Sequence, residues 1–493
     1  MSVFGLDVGT TAVKGLAVDP SGDVVARASR GYPLAAAKPG WSEQDPEDWW
    51  LASQEVLAEL RATAGRPEAI GLSGQMHGLV VLGRQQRPLR PAILWNDQRT
   101  AAEAEEIQNT LGPERLISLT GNRALTGFTA PKLLWLRRHE PDVHRAIETV
   151  LLPKDYIRLR LSGELATDVT DASGTLLFDV ANRRWSDTAC DALDVRPEWL
   201  PRALESPEIS GLTSDGVPVA AGAGDQAAGA IGVGVDQVGP GSVVLGTSGV
   251  VFAVLDHFAH DAQGRTHTFC HAVPNTWHAM GVMLSAAASL EWLRRTVFPD
   301  GGFSRLLAEA GSWAPGSGGV IFLPYLAGER TPHFDPNARG AFAGLTLSHD
   351  RGALARAVLE GVAFGLRDCL DVLRGSGARI SAARASGGGA RSPLWLEIVA
   401  SVLELPLART QVDEGAAFGA ALLGGIAGGV WRDPHEAIAA TVRLTSEVEP
   451  NPEWSARYGE LRERFRALYP ALSSAMAIAP STPASSPSSG ETT

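Results

Sequence analysis

The chain has 493 residues, enough for two or more substantial cores. Hydrophobic residues make up 44% and charged residues 20%, the balance of an ordinary globular protein. A net charge of −12 argues against a nucleic-acid partner, yet leaves room for local anion binding through backbone N–H groups and a metal ion.

The three cysteines, Cys190, Cys270 and Cys369, are far apart and odd in number. No disulfide framework is expected, and a reducing cytoplasm is the simplest location. No basic region or long apolar run opens the chain, so neither a signal peptide nor a membrane span is expected.

Residues 3–6, 13–18 and 24–28 read as strands of a β-meander. The first turn, Asp7-Val8-Gly9-Thr10-Thr11, offers hydroxyls and N–H groups to a phosphate, and its acid suits Mg²⁺. An ordinary hairpin turn would use the same residues. A helix is expected over 46–63 and a strand over 69–72, which ends in Ser73-Gly74-Gln75-Met76-His77-Gly78. Strands over 79–82 and near 93–95 follow, the second running into Trp95, Asn96 and Asp97. Met76, His77, Trp95, Asn96 and Asp97 together offer the stacking and hydrogen bonds that a sugar or polyol needs, although His77 taken alone reads more readily as a structural histidine.

Helices are expected over 101–111 and 130–139, whereas 151–161, 174–179 and 186–204 give mixed signals. An apolar strand over 217–221 then empties into Gly222-Ala223-Gly224, followed by Asp225 and Gln226 at a helix start. Asp225 is a candidate general base, and a helix N-cap is the rival reading. Beyond it, Gly246-Thr247-Ser248-Gly249-Val250 aligns without a gap on Gly9-Thr10-Thr11-Ala12-Val13. Each turn lies between apolar strands, which suggests an internal duplication and two similar domains facing each other across a cleft. His267, Cys270, His271 and His278 could be read as a metal site, but their spacing matches no common zinc pattern. A helix is expected over 280–293, a strand over 320–325, a polar loop over 327–332 and a long helix over 354–373. A strand over 380–385 runs into Gly387-Gly388-Gly389, glycines that permit close approach of a ligand. Helices over 392–403 and 415–424 follow, and the Pro, Ser and Thr tail from about 478 is expected to be disordered.

Two GT hairpins, a late glycine turn and a lone acid at a strand end form the layout of an actin-like phosphotransferase. No G-x-x-x-x-G-K-[ST] run is present, which disfavours a P-loop kinase. Residues 222–227 match a loose G-x-G-x-x-A dinucleotide pattern, but the acid within it and the lack of an acid after the next strand argue against a dehydrogenase.

The segments GLDVGTTAVK, WSEQDPEDWW, GLSGQMHG, RPAILWNDQR, GFTAPKLLWLRRHEPD, LLPKDYIRLRLSGE, GDQAAGAIGVG, LGTSGV, FLPYLAGERTPH, ARAVLEGVAFGL and SGGGARS resemble the FGGY family of carbohydrate kinases from residue 5 to about 424. The resemblance implies an α/β fold of two actin-like (ribonuclease H-like) domains, over 1–238 and 239–475, with a tail over 476–493. It implies ATP and Mg²⁺ as cofactors, a sugar as partner, and neither nucleic acid nor membrane; a homodimer is allowed. GQMHG and WND point toward a ketopentose, D-xylulose, over glycerol. Asp225 would be the base, for which an ordinary carboxyl pKa suffices. Asp7 would hold Mg²⁺ through water. Met76, His77, Trp95, Asn96, Asp97 and Gln226 would face the sugar. Gly9, Thr10, Thr11, Lys14, Gly246, Thr247 and Ser248 would bind phosphates, and Gly388 and Gly389 the nucleotide. Two departures stand out. Gln226 replaces an Asn common in the ketopentose branch, which bears on sugar choice. Ala353 replaces a polar residue of the family's second signature, read as a helix-cap change. A kinase for another ketose or a polyol, a dinucleotide-dependent dehydrogenase and a non-catalytic sugar sensor are the competing readings.

Overall fold

A computed structural model describes residues 1–299 and 301–476; the tail expected to be disordered lies almost wholly outside them. Two mixed seven-stranded sheets dominate. The first contains β1 (Val3–Val8), β2 (Ala12–Val18), β3 (Val24–Gly31), β4 (Ile70–Gly74), β5 (Ile209–Leu212), β6 (Pro218–Ala220) and β7 (Ala223–Gly224). Its order is β5-β6-β4-β1-β2-β3, with β7 also on β4. The second contains β8 (Gly239–Leu245), β9 (Gly249–Leu255), β10 (His267–Cys270), β11 (Trp277–Met283), β12 (Ile380–Ser386), β13 (Leu407–Thr410) and β14 (Leu444–Val448), in the order β10-β11-β9-β8-β12-β13-β14.

The two sheets share one plan. A GT hairpin opens each, its first strand pairs in parallel with a strand far along the chain, and an antiparallel edge strand closes it. The alignment of the two GT turns therefore marks a true repeat of topology. Both first strands are buried on both faces, which accounts for their nearly continuous apolar runs.

The helices that matter for the site are α1 (Pro46–Ala64), α2 (Thr129–His139), α3 (Pro153–Ser162), α4 (Asp225–Gly232), α5 (Ala287–Val297), α6 (Arg351–Gly375), α7 (Pro393–Leu403), α8 (Gly415–Ala427) and α9 (Pro452–Met476). The mixed segment at 151–161 resolves into the end of a strand and α3. The helix expected over 280–293 is not one element. Residues 277–283 form β11, paired residue by residue with β9, and the helix begins only at Ala287. Small and apolar residues suit either state, and the pairing with β9 decides. At the start of α6 the cap is Asp350, whose carboxylate accepts from Ala353 N–H at 3.1 Å, so the backbone of Ala353 is satisfied without a polar side chain there.

The halves are not packed independently. One core joins Met76, Leu79 and Phe128 to Val250, Phe252, Phe269 and Met280. Helix α8, from the second half, lies on β1 and β4 of the first sheet and on α4. Glycines permit this approach: a Cβ on Gly71 would lie 1.7 Å from Ala420 O, and one on Gly419 would lie 1.8 Å from Ala228 O.

Candidate active site

Strand β6 leads into a tight corner. Gly222 has φ +71°, and a Cβ there would lie 2.1 Å from Leu72 O, so the position requires glycine. Ala223 and Gly224 then pair with Ser73 and Gly74 of β4. Asp225 follows as the first residue of α4; Gly224 is the N-cap and no side chain caps the helix. The capping role is thus absent. The half-buried Asp225 carboxylate meets Gln226 Nε2 only at 3.4 Å.

Across β4 lies Asp7, in register with Ser73, whose hydroxyl donates to it at 3.2 Å. Burial, and after it the negative charge of Asp7, push the Asp225 carboxyl up to about 7. Asp7 is raised as well, by burial, against the opposing pull of the Ser73 hydrogen bond and the Lys14 charge. Asp225 thus stands above the ordinary carboxyl range, although an ordinary value would suffice for a base. Two neighbouring carboxyl groups that offer hard oxygen donors fit Mg²⁺, which is usually held by one or two carboxylates together with substrate phosphates.

The first hairpin turn is braced from behind. Trp95 Nε1 donates to Thr10 Oγ1 at 3.0 Å, and Gln44 Nε2 donates to Thr10 O at 2.7 Å. The Tyr32 hydroxyl donates to Gly9 O. Gln44 Oε1 in turn accepts from Trp49 Nε1 and Gln75 Nε2, both at 3.0 Å. This network explains why the WSEQDPEDWW and GQMHG segments occur together. Thr11 is exposed beside Thr10. Lys14 is exposed on β2, in register with Asp7, in a groove with Arg27, Arg30 and Arg391; it acts on Asp7 through its charge.

The second hairpin turn is fixed by the start of α5. Ala287 N–H donates to Gly246 O at 2.8 Å, and Ala286 N–H donates to Thr247 O at 2.9 Å. Thr247, Gly388, Gly389, Trp292 and Trp395 line a cavity of about 680 Å³; Thr247 is exposed, and Ser248 is half-buried in the turn beside it. A Cβ on Gly389 would lie 2.9 Å from Leu245 Cβ and from the Trp395 ring, whereas a Cβ on Gly388 would meet nothing within 4 Å. Gly388 therefore faces the open cavity and Gly389 holds the turn against the sheet.

Met76 is buried against the Asp225 corner; a Cβ on Gly224 would lie 2.7 Å from its Cγ. His77 has φ +66°, rare for a residue with a side chain, and its ring Nδ1 lies 2.8 Å from Gly174 O. That contact makes Nδ1 the donor and leaves Nε2 an acceptor. Burial holds the ring down at about 3, so it stays neutral. Trp95 and Asn96 line a second cavity, of about 700 Å³, with Glu329 and Arg330 also on its wall. Gln226 is half-buried beside the base. Asp97 sits apart from this group. It is fully buried and accepts from Ser42 N–H at 2.6 Å and from Arg99 at 2.9 and 2.7 Å, so it holds the loop that carries Trp95 and Asn96.

The sequence reading passed over several supports. Lys132 Nζ, fully buried, donates to His77 O at 2.8 Å. Arg158 donates to Ala221 O, and the Thr170 hydroxyl accepts from Gly224 N–H at 2.8 Å, so α3 and the segment after it steady the Asp225 corner. Charged residues inside the otherwise apolar LLPKDYIRLRL helix were the available signal. Asp155, Asp168 and Asp171 are the one converging set of three donors among the described residues, and Lys154 Nζ fills their centre at 2.7, 2.6 and 2.9 Å. The histidine and cysteine group forms no such set. His267 bonds Asn122, His271 bonds Val235 O, His278 stacks on Phe252, and the Cys270 thiol meets Val180 O.

Residues 2–232 match the N-terminal domain of the FGGY family of carbohydrate kinases, and residues 241–428 match its C-terminal domain. The chain is 43% identical, over 96% of its length and 100% of the relative's, to a xylulose kinase of Escherichia coli. Among solved structures, a xyloylose kinase from Brucella ovis superposes with a TM-score of 0.92 at 42% identity, covering 96% of this chain and 100% of that one. A gluconate kinase from Lactobacillus acidophilus superposes with a TM-score of 0.91 at 29% identity, covering 97% and 98%. No helix among the described residues is long and apolar enough to cross a membrane.

Proposed function

The chain belongs to the FGGY family of carbohydrate kinases, and we propose that it transfers the γ-phosphoryl group of ATP to the terminal hydroxyl of D-xylulose. The observation that carries this reading is the Asp225 corner. A carboxyl without a strong partner stands close enough to Asp7 to feel its charge, with one GT hairpin on each sheet and a sugar-sized cavity walled by Trp95 and Asn96. The xylulose kinases among its relatives support the choice of sugar.

Phosphoryl transfer is mostly positioning and charge stabilisation. Asp225 accepts the hydroxyl proton as the sugar oxygen attacks in line, and a carboxyl near 7 is well matched to that task at neutral pH. Thr10, Thr11, Gly246, Thr247 and Ser248 present N–H and O–H donors to phosphate oxygens, with Gly9 giving the first turn its shape. Mg²⁺, which Asp7 would hold through water, supplies neutralisation of phosphate charge. Gly388 and Gly389 border the nucleotide. His77, neutral and with Nε2 free to accept, receives a sugar hydroxyl, and Met76 packs against the carbon chain. Closure of the cleft excludes water and so limits ATP hydrolysis. We take the enzyme to act in the cytoplasm.

Gln226 favours a second reading, a kinase for a different ketose, polyol or sugar acid, because its longer amide sits beside the base. The gluconate kinase superposes almost as well as the Brucella ovis enzyme. ADP release measured with ATP and a panel of pentuloses, hexuloses, pentitols and aldonates decides between them. D-Xylulose is expected to give the highest kcat/KM; a tenfold preference for any other sugar rejects the proposal.

A further inference from the structure

The cavity that holds Trp95 and Asn96 is walled on another side by the second half of the chain, through Glu329 and Arg330. That loop is held firmly. Thr331 N–H donates to Val282 O at 3.0 Å, and the Thr331 hydroxyl donates to Arg265 O at 2.7 Å and accepts from Val282 N–H at 3.1 Å. Glu329 Oε1 accepts from the backbone N–H groups of Leu284, at 3.0 Å, and Arg330, at 2.7 Å, while Glu329 Oε2 is buried with no partner.

The Arg330 guanidinium has one contact, His267 Nε2 at 3.4 Å. The direction of that contact can be assigned. Asn122 gives its amide hydrogens to Thr120 O and Thr268 O, so its Oδ1 is the acceptor for His267 Nδ1 at 2.7 Å. His267 Nε2 therefore carries a lone pair and accepts from Arg330. No carboxylate oxygen of the described residues lies within 4.0 Å of the guanidinium. A half-buried cation with one weak bond and four further N–H donors, on a cavity wall, is costly unless something that accepts hydrogen bonds enters the cavity. Its place relative to the base also matters. His267 packs on Phe128 at 5.8 Å between ring centres, and Phe128 packs on His77 at 4.7 Å, so two packed rings, His267 and Phe128, link Arg330 to the histidine proposed to meet the sugar.

We propose that Arg330, aimed by His267, is a sugar-recognising residue supplied by the second half. It grips the carbonyl oxygen and the neighbouring hydroxyl at the end of the acyclic ketose remote from the phosphorylated hydroxyl. Two adjacent acceptor oxygens match the planar fork of a guanidinium, which a lysine ammonium cannot reproduce. The residue would make the enzyme favour a ketose over the corresponding pentitol, which lacks the carbonyl. Because the contact comes from the second half, sugar binding would also draw the two sides of the cleft together.

The inference rests on the sugar-kinase reading above, and its test separates the two. The wild-type enzyme is first assayed for ADP release with D-xylulose and for D-xylulose binding without nucleotide, by tryptophan fluorescence; silence in both rejects the functional reading itself. Arg330→Gln and Arg330→Lys are then compared with it. Loss of a charged hydrogen-bonding group corresponds to a KM for D-xylulose raised about 10- to 100-fold, with the glutamine variant worse. The same variants are expected to keep the KM for ATP within about twofold, and to lose most of the preference for D-xylulose over xylitol. His267→Phe is expected to shift D-xylulose KM in the same direction by a smaller factor. An unchanged D-xylulose KM in both Arg330 variants overturns the proposal, as does an equal loss for D-xylulose and xylitol.

Discussion

Asp225 should announce itself through pH. Its carboxyl sits at about 7 in the free protein because of burial and the charge on Asp7. Only the ionised form accepts a proton, so kcat/KM is expected to fall about tenfold per pH unit below 7 and to level off above it. Asp7→Asn removes the like charge and should move the acid limb to lower pH in whatever activity remains; an unmoved limb would assign it to another group. Asp225→Asn should cost at least about 10²-fold in turnover. The same substitution has a stability signature of opposite sign. A carboxyl whose folded pKa lies above its unfolded value binds more protons when folded, so its contribution is full below about pH 4 and is lost as pH rises through 7. Asp225→Asn should therefore melt a little higher than the wild type at pH 8 and without advantage at pH 4. Equal melting temperatures at pH 8 would mean that the carboxyl is not held up by its surroundings. The acid itself was legible in the sequence as a lone charge after glycines. Its raised pKa was not, because Asp7 lies more than two hundred residues away and reaches it only through strand β4.

At the scale of elements, two glycines separate structural from functional demands. Gly419 of α8 packs backbone against backbone on α4, and a Cβ would lie 1.8 Å from Ala228 O. Gly419→Val must push the helices apart, and a destabilisation of about 3 kcal/mol or more is expected in urea unfolding. Gly388 has open space where a side-chain carbon would stand, and no positive φ. Gly388→Ala should leave the unfolding midpoint unchanged yet raise the KM for ATP several-fold, because the methyl enters the cavity assigned to the nucleotide. Should the ATP KM stay unchanged, the nucleotide does not lie on that turn. The sequence showed that both stretches were glycine-rich, but not which glycine meets a helix and which meets a ligand. The hairpins, by contrast, were readable as strand, GT turn, strand. The β11 segment was misread because Ala, Met and Gly fit strand or helix alike, and its partner β9 lies in a separate stretch of the chain. Asp97 illustrates the same limit at the site. A polar residue after Trp95 and Asn96 looks like a ligand-binding group until Arg99 and Ser42 are seen to take its oxygens.

For the whole molecule, the two domains that the repeat predicts are present, but they share a core and fold onto one another. The first sheet is covered by α8, whose residues are numbered above 414. Phe128 and Met76 share a core with Phe252, Phe269 and Met280. Asn122 bonds Thr268 O and His267, and Gly121 packs on Thr268, so the first half is also tied to β10 by hydrogen bonds. Residues 1–238 produced alone would expose the β1 and β4 faces that α8 covers and the apolar faces that β9, β10 and β11 cover. Exposed strands of that kind are prone to aggregate. The expected outcome is that the fragment 1–238 is insoluble or lacks dispersed amide resonances, and that producing it together with 239–493 restores soluble, folded material. Unfolding of the intact chain in urea should then be a single transition, followed alike by tryptophan fluorescence and far-ultraviolet circular dichroism. A fragment 1–238 with a cooperative transition of its own would show that the shared core is dispensable. It would also remove the physical link through which a sugar held by one half could draw in the other.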